Sequence, residues 1–157
     1  MHRFRKKKKG DLMRGIRSFI AVVVLAVILI AGFPGNAQGA EWVYFATTAK
    51  GTHYYDKQTV KRANTTVRVW EKTVYSVDGK RNAEKFLTEA GEYKGQKLGH
   101  VTTLSEFNCR DAKGRSLSMI IYDINGKKVA GSPDGASEWS SIVPDSIYDR
   151  LSKQVCP

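Results

Sequence analysis

The stretch GHVTTLSEFNCRDAKGRSLSMIIYDINGKKVAG, residues 99–131, decides how the chain folds. Within it, Asn125-Gly126 is the strongest local signal, because a two-residue type I′ turn needs positive φ at both central positions and these residues tolerate it best. Arg115 to Ile124 and Lys127 to Gly131 are therefore expected as neighbouring strands. Upstream, Asp111 to Gly114 is a second run of turn chemistry, which sets Gly99 to Cys109 against Arg115 to Ile124. Three strands joined this way form an antiparallel meander. Alternation along Gly99 to Cys109 puts Val101, Thr103, Phe107 and Cys109 on one face.

After the meander the apolar period changes from 2 to 3.6. Pro144 at an early helical position, Asp145 in the first turn, then Ile147, Tyr148, Leu151 and Val155 on one side predict a single amphipathic helix from about Pro144 to Val155. Before the meander, Glu41 to Thr47, His53 to Asp56 and Thr65 to Tyr75 read as strands, separated by Gly51-Thr52 and by a polar link through Lys61 to Asn64. Asp78-Gly79 reads as a further turn. Arg81 to Lys97 has helical spacing at Ala83, Phe86, Leu87 and Ala90, with Asn82 as a cap, but Gly91 and Gly95 follow at once. The expectation there is a short helical turn within a long mobile connection. The fold class is α+β.

Charge and hydropathy divide the 157 residues into a leader, 1–40, and one domain, 41–157. The formal charge of +11 suggests nucleic acid until it is located. Eight basic residues and one acid, Asp11, lie in the leader, and the domain keeps only a modest excess, which excludes the dense basic stripe that phosphate binding requires. Ser18 to Phe33, SFIAVVVLAVILIAGF, is uncharged, follows the basic run and ends at Pro34-Gly35. This is the shape of a secretory signal, with cleavage expected after Gly39 or Ala40. An uncleaved membrane anchor is the competing reading, and residues 1–40 would then be the only membrane contact. Both readings send the domain across the inner membrane, to the periplasm or cell surface. No cysteine near the cleavage region offers a site for lipid attachment.

Cys109 and Cys156 thus lie in a compartment where a disulfide persists, and one intramolecular pairing exists. Unpaired thiols or an intermolecular bridge are the alternatives. An enzyme would show a nucleophile with its base, a metal set or a carboxylate pair, and no such spacing is present. His53 and Asp56 fall on opposite faces of one strand, Ser116 and Ser118 read as polar strand positions, and the glycines compose no phosphate loop. No cofactor is expected. Trp42, Trp70 and Trp139 read as core or core-edge residues. Tyr54 and Tyr55 are consecutive, so one faces outward, and beside Lys57, Lys61 and Arg62 it makes a candidate protein-binding patch. Lys80 to Lys97 is a second candidate contact region.

The order Trp42, Tyr54-Tyr55-Asp56, Val67-Arg68-Val69-Trp70, Cys109, Tyr122-Asp123-Ile124-Asn125-Gly126, Trp139, Ile142-Val143-Pro144-Asp145-Ser146 and Val155-Cys156 resembles the surface-adhesin protein E family of Gram-negative bacteria. The resemblance implies a bent antiparallel sheet of about six strands with one C-terminal helix held on its concave side by a disulfide. It also implies a non-catalytic protein-binding role at the cell envelope or surface. The reading from a different class is a periplasmic domain that holds a small apolar or envelope-derived ligand between sheet and helix. A helix lying directly on Phe107 would leave such a ligand no room. Neither the partner's identity nor the oligomeric state is legible.

Overall fold

The computed structural model describes residues 39–132 and 135–157. The basic run and the apolar stretch 18–33 lie outside them, as does the reading of a cleaved signal or an anchor. Among the described residues no helix is long and apolar enough to cross a membrane.

Eight strands form one antiparallel sheet: β1 (Trp42–Thr48), β2 (Gly51–Asp56), β3 (Lys61–Ala63), β4 (Thr66–Tyr75), β5 (Leu98–Asn108), β6 (Lys113–Asp123), β7 (Lys128–Ser132) and β8 (Ser140–Ser141). The main order is β1-β2-β4-β5-β6-β7, with β3 pairing β4 and β8 pairing β6. The expected count of about six is thus corrected to eight. The two additions are exposed polar strands of three and two residues, too short to show a period in sequence.

Among the described residues there are two α-helices rather than the one expected, α1 (Val77–Glu89) and α2 (Ile147–Val155). α1 replaces the turn read at Asp78-Gly79 and the first half of the connection read over Arg81 to Lys97, while residues 90–97 form the connection to β5. Its cap is Ser76, not Asn82: the hydroxyl accepts the Gly79 N–H at 3.0 Å, and Asp78 sits in the first turn, where a negative charge complements the helix dipole. The same hydroxyl donates to the Ala49 carbonyl at 2.5 Å, strapping the helix start to the β1–β2 turn. Gly79 is there because this approach leaves no room for a Cβ, which would collide with the Lys50 carbonyl. Gly79→Ala is therefore expected to lower stability by about 1–3 kcal/mol, although alanine is intrinsically the better helix former by about 1 kcal/mol. Chemical denaturation measures it, and an unchanged or raised midpoint would refute the packing argument.

The N-terminus of α2 also differs from expectation. Pro144 and Asp145 precede the helix, Asp145 with φ of 60°, and Ser146 is the cap, accepting from the Asp149 N–H at 3.2 Å. The Asp149 carboxylate in turn accepts the Asp145 N–H at 3.0 Å, a reciprocal arrangement close to a capping box. At the β6–β7 hairpin only Gly126 takes positive φ. The Asp123 carboxylate accepts the N–H groups of Asn125 and Lys127, both at 2.8 Å, and the Gly126 N–H bonds the Asp123 carbonyl. These bonds replace the expected two-residue type I′ turn with a longer one closed by glycine.

Register fixes the sides of the sheet. β4 and β5 pair without interruption from Thr66↔Asn108 to Val74↔His100, so Val67, Val69, Glu71 and Thr73 share a face with Phe107, Ser105, Thr103 and Val101. Both helices cover this face. Leu151 and Val155 of α2 bury against Val67, Val69, Phe107 and Tyr55, while Leu87 of α1 buries against Leu98, Ile121 and Ala130. The core is thus two lobes on one side of the sheet. Cys109 and Cys156 are joined by a disulfide, and the Arg62 guanidinium donates to the Val155 carbonyl at 2.8 Å.

Candidate functional site: the helix-free face of the sheet

The positions that alternate with the core point to the other face. Along β4 the apolar Val67 and Val69 turn inward, which sends Arg68, Trp70 and Lys72 outward. Register extends these into rows across the sheet: Tyr44, Tyr54, Lys72, Thr102 and Ile120 form one, and Val74, His100, Tyr122 and Lys128 another. Neither α1 nor α2 covers them.

Aromatic rings cluster around one cation. The Lys72 ammonium lies 4.2 Å from the Trp42 ring centroid and 5.6 Å from that of Tyr54. Tyr44 meets Tyr54 edge to face at 6.2 Å, and His100 stacks on Tyr122 at 4.8 Å. Burial holds the Lys72 ammonium below its usual lysine range, and no carboxylate among the described residues forms an ion pair with it. Burial, and then the charge of Lys72, lower the His100 pKa.

A second cluster lies further along the face. Glu106, 3% exposed, receives Arg68 and Arg115, each through Nε at 2.7 Å. Burial alone would raise its pKa, but the two guanidinium hydrogen bonds outweigh that and hold it down. Arg115 also lies 4.4 Å over the Trp139 ring. All three tryptophans therefore belong to the helix-free side, which corrects the core half of the reading of them as core or core-edge residues. Trp42 and Trp70 are half-buried, and Trp139 is exposed.

The candidate patch drawn from sequence divides between the two faces. Tyr54 points outward and Tyr55 inward, its ring against Phe45 and the α2 lobe. Lys57 is exposed and 3.7 Å from Glu41, and Lys61 is exposed opposite Arg68. Arg62 lies on the helix side, bound to the end of α2. Trp42, Lys72, His100 and Tyr122 were not foreseen as members of a site. The apolar alternation at Val67 and Val69 was the signal that placed Lys72 outward.

The remaining polar centres lie buried among hydrogen-bond partners on the helix side of the sheet. His53 is buried between the hydroxyls of Thr48 and Thr73, both at 2.9 Å. Glu71 is buried under α2, accepts from the Ser105 hydroxyl, and is pushed up to about 7 by burial, against the lowering effect of that hydrogen bond. The Tyr148 hydroxyl lies 2.8 Å from that of Ser116 and 3.4 Å from that of Ser105. Among the described residues no group of His, Cys, Asp or Glu side chains is arranged to hold a metal ion. Tyr148 meets Phe107 edge to face at 5.4 Å, and Phe107 is fully buried, so α2 rests directly on the sheet.

These features define a class: a small antiparallel-sheet domain with helices on one side, a disulfide anchoring the second helix, and an open aromatic face on the other side. The model of the surface-adhesin protein E family matches residues 42–157, and the chain belongs to that family. Two solved structures of Haemophilus influenzae protein E share the fold. One aligns with a TM-score of 0.53 and 12% identity over 79% of this chain and 89% of that one. The other gives 0.51 and 14% over 79% and 93%. Comparison with curated proteins gives no match.

Proposed function

We propose that the chain is an exported, non-catalytic protein-binding domain of the cell envelope or surface, with the helix-free face as its contact surface. One observation carries this reading: Trp42, Tyr44, Tyr54 and Tyr122 are gathered on a sheet face that neither helix covers, with Tyr44 57% exposed. Aromatic side chains and Arg are the residues enriched where proteins meet. Membership of a surface-adhesin family supports the same role and location.

A photo-crosslinking residue at position 44 or 74, both exposed on this face, should yield discrete adducts with a protein partner in living cells. The same residue at Arg150, exposed on α2, should yield none. Adducts only from position 150, or from no position, would overturn the reading. A carrier of small apolar ligands has less support. α2 rests directly on Phe107; the cavity of about 530 Å³ beside the disulfide is lined by the polar and charged Asn108, Asp149, Ser152 and Lys153 as well as by Ile142 and Pro144, and the apolar groove beside α1, lined by Tyr75, Ala83, Phe86, Val101 and Ile121, holds about 280 Å³, below the usual range for such a ligand.

A further inference from the structure

The helix-free face carries six basic residues against two acids. By register, Lys61, Arg68, Lys72, Lys113, Arg115 and Lys128 occupy outward positions. The acids at such positions on these strands are Asp56 and Glu106, and both are already engaged. Asp56 accepts the N–H groups of Gln58 and Glu41 at 3.1 and 3.0 Å, and Glu106 is held between two arginines.

Lys72 differs from the other bases. It is half-buried at the centre of the face, its ammonium rests on an aromatic ring instead of a carboxylate, and Tyr54 and His100 flank it. A cation partly withdrawn from water gains most from an added anion, because the pair attracts through a less polar medium than bulk water. The rings around it supply apolar contact for the stem of the incoming residue.

We infer that the helix-free face recognises an acidic segment of a protein partner, with a Glu or Asp carboxylate paired to Lys72 and its stem against Trp42 and Tyr54. The inference rests on the reading of this face as the contact surface. Complementary charge around the centre would steer the encounter and weaken with added salt.

The three tryptophans make the face its own reporter. Titration of the protein with a short peptide of alternating Glu and Thr should shift tryptophan emission. The counterpart peptide with Gln in place of Glu should bind about tenfold more weakly. Lys72→Met keeps the stem and removes the charge. It should weaken binding of the acidic peptide about tenfold and leave the Gln peptide unaffected. Equal affinity for both peptides, an unchanged Kd in Lys72→Met, or tighter binding of an oligothymidylate than of the acidic peptide would overturn the inference. Tyr54→Ala separates it from the reading beneath. If Tyr54→Ala weakens binding while Lys72→Met does not, the lysine pairing fails and the contact face stands. If neither variant changes the affinity for the acidic peptide, both fail. Should Lys72→Met melt below the wild type, the comparison of the two peptides on the unaltered protein decides the question.

Discussion

Replacing Cys109 and Cys156 together with serine is expected to lower the stability of the oxidised protein by about 4 kcal/mol, since the disulfide spans 47 residues and the chain-entropy relation gives that value for such a loop. For a domain of this size the loss corresponds to a fall in melting temperature of about 10–20 °C. The structure adds a reason for the effect to concentrate in α2. With nine residues, this helix is too short to persist alone, and its hold on the sheet comes from Leu151, Val155 and the covalent link that follows them. Thermal melts with and without reductant measure it: the variant and the reduced wild type should coincide, and the oxidised wild type should melt higher. Coincidence of all three would refute the stabilising role.

A second large effect is expected at Glu71. Its carboxyl is buried between the sheet and α2, with a folded pKa raised from 4.5 to about 7. A raised pKa means that the folded state binds the proton more tightly than the unfolded state. Its stabilising contribution is fully present below pH 4.5 and is lost as pH rises through about 7. The full span amounts to about 3 kcal/mol, from the size of the shift. Glu71→Gln removes the titration while keeping an acceptor for Ser105. The variant should exceed the wild type in stability by about 3 kcal/mol at pH 8, and the gap should close as pH falls toward 5. The difference between the two proteins isolates Glu71 from His53 and His100. Their lowered pKa values act in the opposite sense, withdrawing stability as pH drops below 6.5. Urea denaturation across that pH range measures the gap. A constant gap would mean that Glu71 does not titrate there.

The sheet was legible where side chains alternate and turns carry Gly, Asn or Asp. Val67 to Tyr75 and the meander over residues 99–131 lie where the residues predict them, and so does the disulfide between Cys109 and Cys156. The helices were harder to read because each is short and buries few side chains. α1 buries Gly79 and Leu87, so no continuous apolar stripe marks it, and its glycine imitates a turn while serving a close approach to Lys50. The start of α2 was misplaced because Pro144 is a familiar first-turn residue, whereas Ser146 with Asp149 three positions on was the better cap signal. The candidate site was legible only at Tyr54 and Lys61. Bringing Trp42, Lys72 and His100 together depends on pairing between strands far apart in sequence, and no local pattern reports that register.

The division of the core into two lobes sets an order on how the chain can close. Leu87, Leu98, Ile121 and Ala130 can bury one another as soon as β7 has been made. Val67, Val69 and Phe107 stay wet until Leu151 and Val155 emerge, and Arg62 finds its carbonyl at Val155 a full 93 residues downstream. The lobe over Val67, Val69 and Phe107 therefore waits on the last helix, and a chain cut short before residue 151 would leave that half of the core exposed to water.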